Sequence, residues 1–368
     1  MSVTAPEEFV FDVVIIGAGA IGLSIAAALS ASKSVLVLES EKTFGQHTSS
    51  RNSEVIHSGI YYQKGTLKSE LCIQGKTLLY DFLKKHDIEH QRCGKLIVAT
   101  NNEEVFKLEE VKNNANVVGV EAEWLDGHEA ESREENIKCV AALYVPDTGI
   151  FDSHSFMAAQ KSIAEKNGAI VQFNSKVASI VYSDKAYLVS LENENFVVKS
   201  SILINSAGLF AGEISNMLGL SNYKVNLCKG EYFKTNKVKG LNHLIYPVPP
   251  SDGSSLGIHT RNYLDGSVGF GPSAYMVDEI DYSINNRYKE MFVREANRYL
   301  KKSLRSEDLF PDYTGIRPKF EKDFVIREES AKGFPGFINL IGIESPGLTS
   351  AIAIANKVAE MTNSYNDF

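Results

Sequence analysis

Apolar residues arrive along this chain in two rhythms, and the changes from one to the other mark its elements. An unbroken β-branched run, DVVII (12–16), suits one strand buried on both faces, as in a parallel sheet. The pattern turns Ala-rich and helix-forming over 23–30, then returns to a buried strand at SVLVL (34–38), which ends in Glu39. Leu71, Leu78, Leu79, Phe82 and Leu83 fall on one helical face and predict a helix over 67–86. A strand follows at 95–99 and a charged surface helix at 103–114; after a turn-rich junction at 147–152 comes a helix over 153–167 with Ser153 as its N-cap. Strands are predicted at 169–173, 177–182, 187–191 and 196–199, the last three as a meander, and a separate buried strand at 201–205 leads into a helix running to 218. Between 225 and 324 short strands dominate, broken by Pro and Gly turns and by a polar helix at 287–304. A strand at 337–342 and a helix at 348–361 close the pattern, so helices and strands alternate as in an α/β protein.

Charge and cysteine usage then exclude several functions. The chain has 368 residues with 38 Lys+Arg against 46 Asp+Glu, and its basic residues cluster only as isolated pairs, which argues against nucleic acid as a partner. The four cysteines stand at least 21 positions apart, with no C-x-x-C pair, so neither a zinc site nor a redox dithiol is written locally and no metal is expected. His86 and His90 are four apart, but Asp87 stands where a zinc helix needs Glu and no third ligand is evident. The eleven residues before the first buried strand carry two Glu and no Arg or Lys, the reverse of a signal or transit peptide. The expectation is a cytoplasmic protein, peripheral to a membrane at most, with no transmembrane segment. The uncharged stretch 13–32 is long enough to span a bilayer, but its glycines argue for a different use.

Those glycines form GAGAIG (17–22) directly between strand and helix. In that setting Gly17 allows the tight turn, Gly19 lets the backbone approach a pyrophosphate, and Gly22 lets the helix lie close on the strand. The helix N-terminus faces the phosphates, and Glu39, 17 residues beyond Gly22, is placed to accept from a ribose diol. No second G-x-G-x-x-G follows, and the small polar loop 45–53 suits the pyrophosphate and ribityl of an extended FAD.

Five blocks now read together: GAGAIG, SSRNSEVIHSGIYY (49–62), INSAG (204–208), LIYPVP (244–249) and IGIESPGLTSA (341–351). With them the chain, from 12 to about 361, resembles the FAD-dependent D-amino-acid oxidase superfamily, and within it the L-2-hydroxyglutarate dehydrogenase branch. Glu54 and Ser50 stand where many relatives have Gly, and the polar loop 250–256 is a further departure. The resemblance implies a Rossmann-type FAD-binding domain (1–88, 140–222 and 325–368) interleaved with an α+β substrate domain built on a mixed sheet (89–139 and 223–324). It implies noncovalent FAD contacts at Gly17, Gly19, Ala20, Ile21, Gly22, Glu39 and Ser40, at Ser50, Asn52 and Ser53, at Val177, Ala207 and Gly208, and at Gly342, Pro346, Gly347, Leu348 and Thr349.

The reaction so implied, FAD-dependent oxidation of a small 2-hydroxy acid to the 2-oxo acid with hydride transfer to flavin N5, needs a base and a carboxylate clamp. His57 and His259 are the candidate bases, since an imidazole titrates near neutrality. Arg317, in GIRP (315–318), offers a planar fork that fits a carboxylate bidentately. Tyr62, Tyr246, Lys229 and Arg261 complete the expected substrate contacts, the last two as candidate cations for a second carboxylate. Two alternatives stay open: an amine or amino-acid oxidase of the sarcosine or glycine oxidase type releasing peroxide, and a non-catalytic flavoprotein subunit. The electron acceptor, a quinone or another carrier, is not written in these residues.

Overall fold

The computed structural model describes residues 7–249, 256–363 and 365, so most of the polar loop 250–256 lies outside the described residues. Within it the α/β chain forms two compact units, one of residues 1–50, 153–226 and 318–368, the other of 51–152 and 227–317.

The first unit is built around strand Glu7–Ile16, which pairs in parallel with Val35–Leu38 on one side and with Phe196–Asn205 on the other. Val13, Val14, Ile15 and Ile16 are all buried, as the unbroken apolar run requires. Phe196–Asn205 corrects the expectation of two strands at 196–199 and 201–205. Ser200, which reads as a break, is fully buried in the ladder, paired with Phe11 on one side and Tyr187 on the other. The strand's first half pairs antiparallel with Ala186–Leu191, and its last residues, Leu203 to Asn205, pair in parallel with Phe334–Ile341. One strand thus closes the meander and also carries INSAG to the carboxyl edge of the parallel sheet. Helix Ala20–Leu29 packs against Ser153–Lys166 and Gly347–Thr362, and its small residues Gly22, Ser24 and Ala26 are buried. Ser153 begins its helix as a helical residue rather than as the cap.

The second unit holds three sheets. One orders His259–Asn262, Val268–Gly271, Asn226–Thr235 and Tyr275–Val277, with Leu309–Lys319 joined to Asn226–Thr235. Another orders Leu244–Pro247, Lys95–Ala99, Ala141–Val145 and Glu123–Asp126; the third sets Gly149–Phe151 between Val55–Ile56 and His90–Gln91. These pairings cut the chain elsewhere than the expected domain boundaries. Residues 51–88 and 140–152 belong to the second unit, because Val55–Ile56 is held by Gly149–Phe151 and Ala141–Val145 by Lys95–Ala99. The polar helix is shorter than its pattern, Lys289–Tyr299, because Leu300 turns extended and Lys301 N–H bonds to the Asn136 carbonyl. Among the described residues no helix is long and apolar enough to cross a membrane.

Candidate active site

At the carboxyl edge of the first unit's sheet lies a cavity of about 420 Å³, a size suited to a substantial part of a cofactor. Of the residues expected to meet the dinucleotide, Gly17, Gly19, Glu39, Ser40, Val177, Ala207 and Gly208 line it. Gly17 has φ +102, and a Cβ there would sit 2.7 Å from the Ser206 carbonyl oxygen, so only glycine makes this turn. Gly19 has φ −80, so its role is space: a Cβ would come 2.8 Å from Ser49 Oγ. Gly22 serves packing, since a Cβ there would fall 1.9 Å from the Gly17 carbonyl oxygen. The helix Ala20–Leu29 has no acidic residue in its first turn, which leaves its N-terminal dipole available to an anion.

Glu39 is 8% exposed, and its carboxylate is fixed by Ala18 N–H at 2.8 Å and Glu41 N–H at 3.0 Å. Each carboxylate oxygen can accept more than one hydrogen bond, so capacity remains for a ribose hydroxyl. Ser49, within the loop 45–53 expected along the pyrophosphate, lines the cavity and accepts from Ala20 N–H at 3.0 Å; sequence reasoning did not single out Ser206, which also lines it and whose hydroxyl donates to the Ile16 carbonyl at 2.9 Å. The other expected contacts are not part of this cavity's lining. Ser50 is exposed; Asn52 and Ser53 lie in the second unit, where Asn52 Oδ1 accepts from Glu54 N–H at 2.8 Å and Ser53 Oγ meets Tyr232 Oη at 3.0 Å. Ala20 and Ile21 are the first residues of helix Ala20–Leu29, and Gly342, Pro346, Gly347, Leu348 and Thr349 form the turn and first residues leading into helix Gly347–Thr362.

The second unit brings together both histidines, Arg317 and Tyr246. His259 is 3% exposed and stacks on Tyr246, with ring centroids 3.9 Å apart and planes within 6°. Its Nδ1 lies 2.9 Å from the Thr260 carbonyl oxygen, which can only accept, so Nδ1 carries the proton and Nε2 keeps the lone pair. Burial first, then the positive charges of Arg317 and Lys95, pushes His259 from 6.5 down to about 3, against the raising effect of the Thr260 contact. His57, just after strand Val55–Ile56, is likewise pushed down to about 3 by burial and by the charges of Lys95, His259 and Arg317. Both imidazoles are therefore neutral at pH 7 and can accept a proton, and an anionic substrate beside them would raise their basicity. Tyr62 belongs to the same neighbourhood, since it acts on the hydroxyls of Tyr61 and Tyr246.

The two candidate second cations are already neutralised. Lys229, 3% exposed, pairs with Asp281 at 2.7 Å. Arg261 pairs with Glu54 at 2.7 Å and with Asp312 at 3.9 Å. The cation that sequence reasoning passed over is Lys95, 1% exposed at the head of the buried strand Lys95–Ala99. Its only sequence signal is a lysine opening an otherwise apolar run.

Known proteins resemble this chain over most of its length. The family model described as FAD dependent oxidoreductase matches residues 12–361. The mitochondrial L-2-hydroxyglutarate dehydrogenase of Arabidopsis thaliana is 36% identical, over 95% of this chain and 82% of its own. That of Escherichia coli K12 is 32% identical, over 80% of this chain and 73% of its own. Among solved structures, L-α-glycerophosphate oxidase from Mycoplasma pneumoniae with FAD bound superposes with a TM-score of 0.87 at 27% identity, over 96% of this chain and 95% of its own.

Proposed function

The chain belongs to the FAD-dependent oxidoreductase family, and from that premise we propose that it oxidises L-2-hydroxyglutarate to 2-oxoglutarate. FAD is its cofactor, and the glycine turn, the anion-ready helix end and the Glu39 carboxylate fit that group. Bound there, FAD would supply the two-electron acceptor that hydride removal from the substrate Cα requires. The protein's own work is to hold the acid and remove the hydroxyl proton. One observation carries this reading: two imidazoles, kept neutral by burial, share a neighbourhood with the cations Arg317 and Lys95.

Arg317 takes the α-carboxylate, for which its planar fork is suited. His259 Nε2 or the His57 ring takes the hydroxyl proton as the hydride leaves. The test is anaerobic mixing of the yellow holoenzyme with L-2-hydroxyglutarate, its D isomer, L-α-glycerophosphate, sarcosine and glycine, with flavin absorbance followed in time. Rapid bleaching by L-2-hydroxyglutarate alone is expected. Bleaching by sarcosine or glycine, with peroxide formed in air, would identify an amine oxidase instead, and bleaching by none would point to a non-catalytic subunit.

A further inference from the structure

Lys95 is a buried cation that the roles above leave unused. It heads strand Lys95–Ala99, which pairs in parallel with Leu244–Pro247 in a register that sets Ile97 beside Tyr246. Alternation along a strand puts Lys95 on the same face as Ile97, and so on the face of Tyr246. The Lys95 Nζ lies 4.4 Å from the Tyr61 ring centroid and 4.8 Å from that of Tyr246. Among the described residues Lys95 makes no ion pair and no carboxylate acts on it, while the neutral imidazoles of His57 and His259 stand within its field. The Tyr61 and Tyr246 hydroxyls are buried and have no hydrogen-bond partner among the described residues.

The ammonium thus lies over both rings, and among the described residues neither it nor the two ring hydroxyls makes a hydrogen bond, so this neighbourhood offers three donor groups to an anion. Tyr246 also stacks on His259, so this site adjoins one of the two imidazoles proposed to take the substrate's hydroxyl proton. Burial without a counter-ion pushes Lys95 from 10.5 down to about 7, and an arriving carboxylate would restore its charge.

We propose that Lys95, with the Tyr61 and Tyr246 hydroxyls, binds the distal carboxylate of the substrate and so selects dicarboxylic over monocarboxylic 2-hydroxy acids. The assignment rests on the reading that the substrate is a 2-hydroxy acid held by Arg317 through its α-carboxylate. Lys229 and Arg261 do not compete for the role, because Asp281 and Glu54 already neutralise them.

The test compares wild-type holoenzyme with Lys95→Met, which keeps an apolar stem of similar length, and with Tyr61→Phe, which removes one hydroxyl. The ratio of kcat/KM for L-2-hydroxyglutarate over L-2-hydroxybutyrate should fall about 10- to 100-fold in Lys95→Met and about 3- to 10-fold in Tyr61→Phe. Calorimetric titration should show glutarate binding to wild type but not to Lys95→Met. An equal loss toward both acids, or glutarate binding that is indifferent to Lys95 or absent from wild type, overturns the proposal. Dependence of L-α-glycerophosphate turnover on Lys95, with L-2-hydroxyglutarate unaffected, replaces the carboxylate by a phosphate and also overturns it. If wild type oxidises no 2-hydroxy acid while glutarate binding still requires Lys95, the proposed activity fails and the anion site stands. Should Lys95→Met not fold, the substrate ratio and glutarate affinity of Tyr61→Phe decide: a selective dicarboxylate loss supports the site, and wild-type values overturn it.

Discussion

Glu54 is held at φ +57, a left-handed backbone that costs a residue bearing a Cβ about 1 kcal/mol relative to glycine. Its carboxylate accounts for the exception. It meets Arg261 at 2.7 Å, and Arg261 is 8% exposed, with the Tyr263 and Tyr313 ring centroids 4.1 and 4.6 Å from its guanidinium carbon. Without Glu54 the guanidinium would keep Asp312 at 3.9 Å and Tyr263 Oη at 3.1 Å, while its Nε has no partner among the described residues even in the wild type. Removing one member of a buried ion pair costs roughly 3–5 kcal/mol. The Glu54 side chain is 29% exposed, so water screens its outer edge and about 2–3 kcal/mol is the appropriate figure. Glu54→Ala should lose that amount because it keeps the strained backbone. Glu54→Gly also loses the pair but relieves the strain, so its loss should be about 1–2 kcal/mol. A Glu54→Gly, Arg261→Met double variant should recover most of the stability, since no charge is then left buried alone. Urea unfolding of the holoenzymes at pH 7 reads all three as midpoint shifts at constant m. Equal midpoints for the Ala and Gly variants would refute the strain argument. Midpoints equal to wild type for both would refute the pair. Because Glu54 precedes His57 by three residues, the same variants should also slow flavin reduction if the segment loses its fixed course.

The parts of this molecule legible in its sequence are those set by local backbone chemistry. DVVII, GAGAIG and SVLVL could be placed because buried parallel strands read as unbroken apolar runs, because Gly17 takes a positive φ and because Gly22 answers to the Gly17 carbonyl within the same strand–turn–helix unit. Even there, the conformational argument belongs to Gly17, at φ +102, while Gly19 is extended and answers only to the Ser49 side chain. What stayed hidden depends on partners far away in sequence. The buried pairing of Ser200 with Phe11 and Tyr187 conceals the continuity of Phe196–Asn205. Lys229 and Arg261 looked available because their counter-ions, Asp281 and Glu54, stand 52 and 207 positions away. Lys95 drew no notice as the first residue of a strand, and its enclosure comes from the pairing with Leu244–Pro247 and the nearby Tyr61 ring. A cation's availability is a property of its surroundings, so sequence could nominate candidates without ranking them.

Gly19→Val should purify colourless or nearly so, because its side chain must displace Ser49 Oγ, 2.8 Å from a Cβ at that position; flavin absorbance per protein reads this, and full occupancy would detach the glycine motif from cofactor binding. Arg317→Lys keeps charge but loses the fork, so kcat/KM for L-2-hydroxyglutarate should fall about 10- to 100-fold, and unchanged kinetics would remove Arg317 from the clamp. The last expectation concerns stability against pH. His57 and His259 sit at about 3 in the folded protein against 6.5 ordinarily, so between those values the unfolded chain binds more protons and stability falls as pH drops from 6.5 toward 3. Lys95 sits at about 7 against 10.5, so by the same sign stability rises as pH climbs from 7 to 10.5, where the unfolded lysine still holds its proton and the buried one has released it. Lys95→Met should therefore flatten the alkaline limb and shorten the acid limb only in part, since burial, the largest cause, still holds His57 and His259 down. Urea midpoints measured across pH 3 to 10.5 separate the two limbs, and an alkaline rise of wild-type size in Lys95→Met would show that some other group carries it.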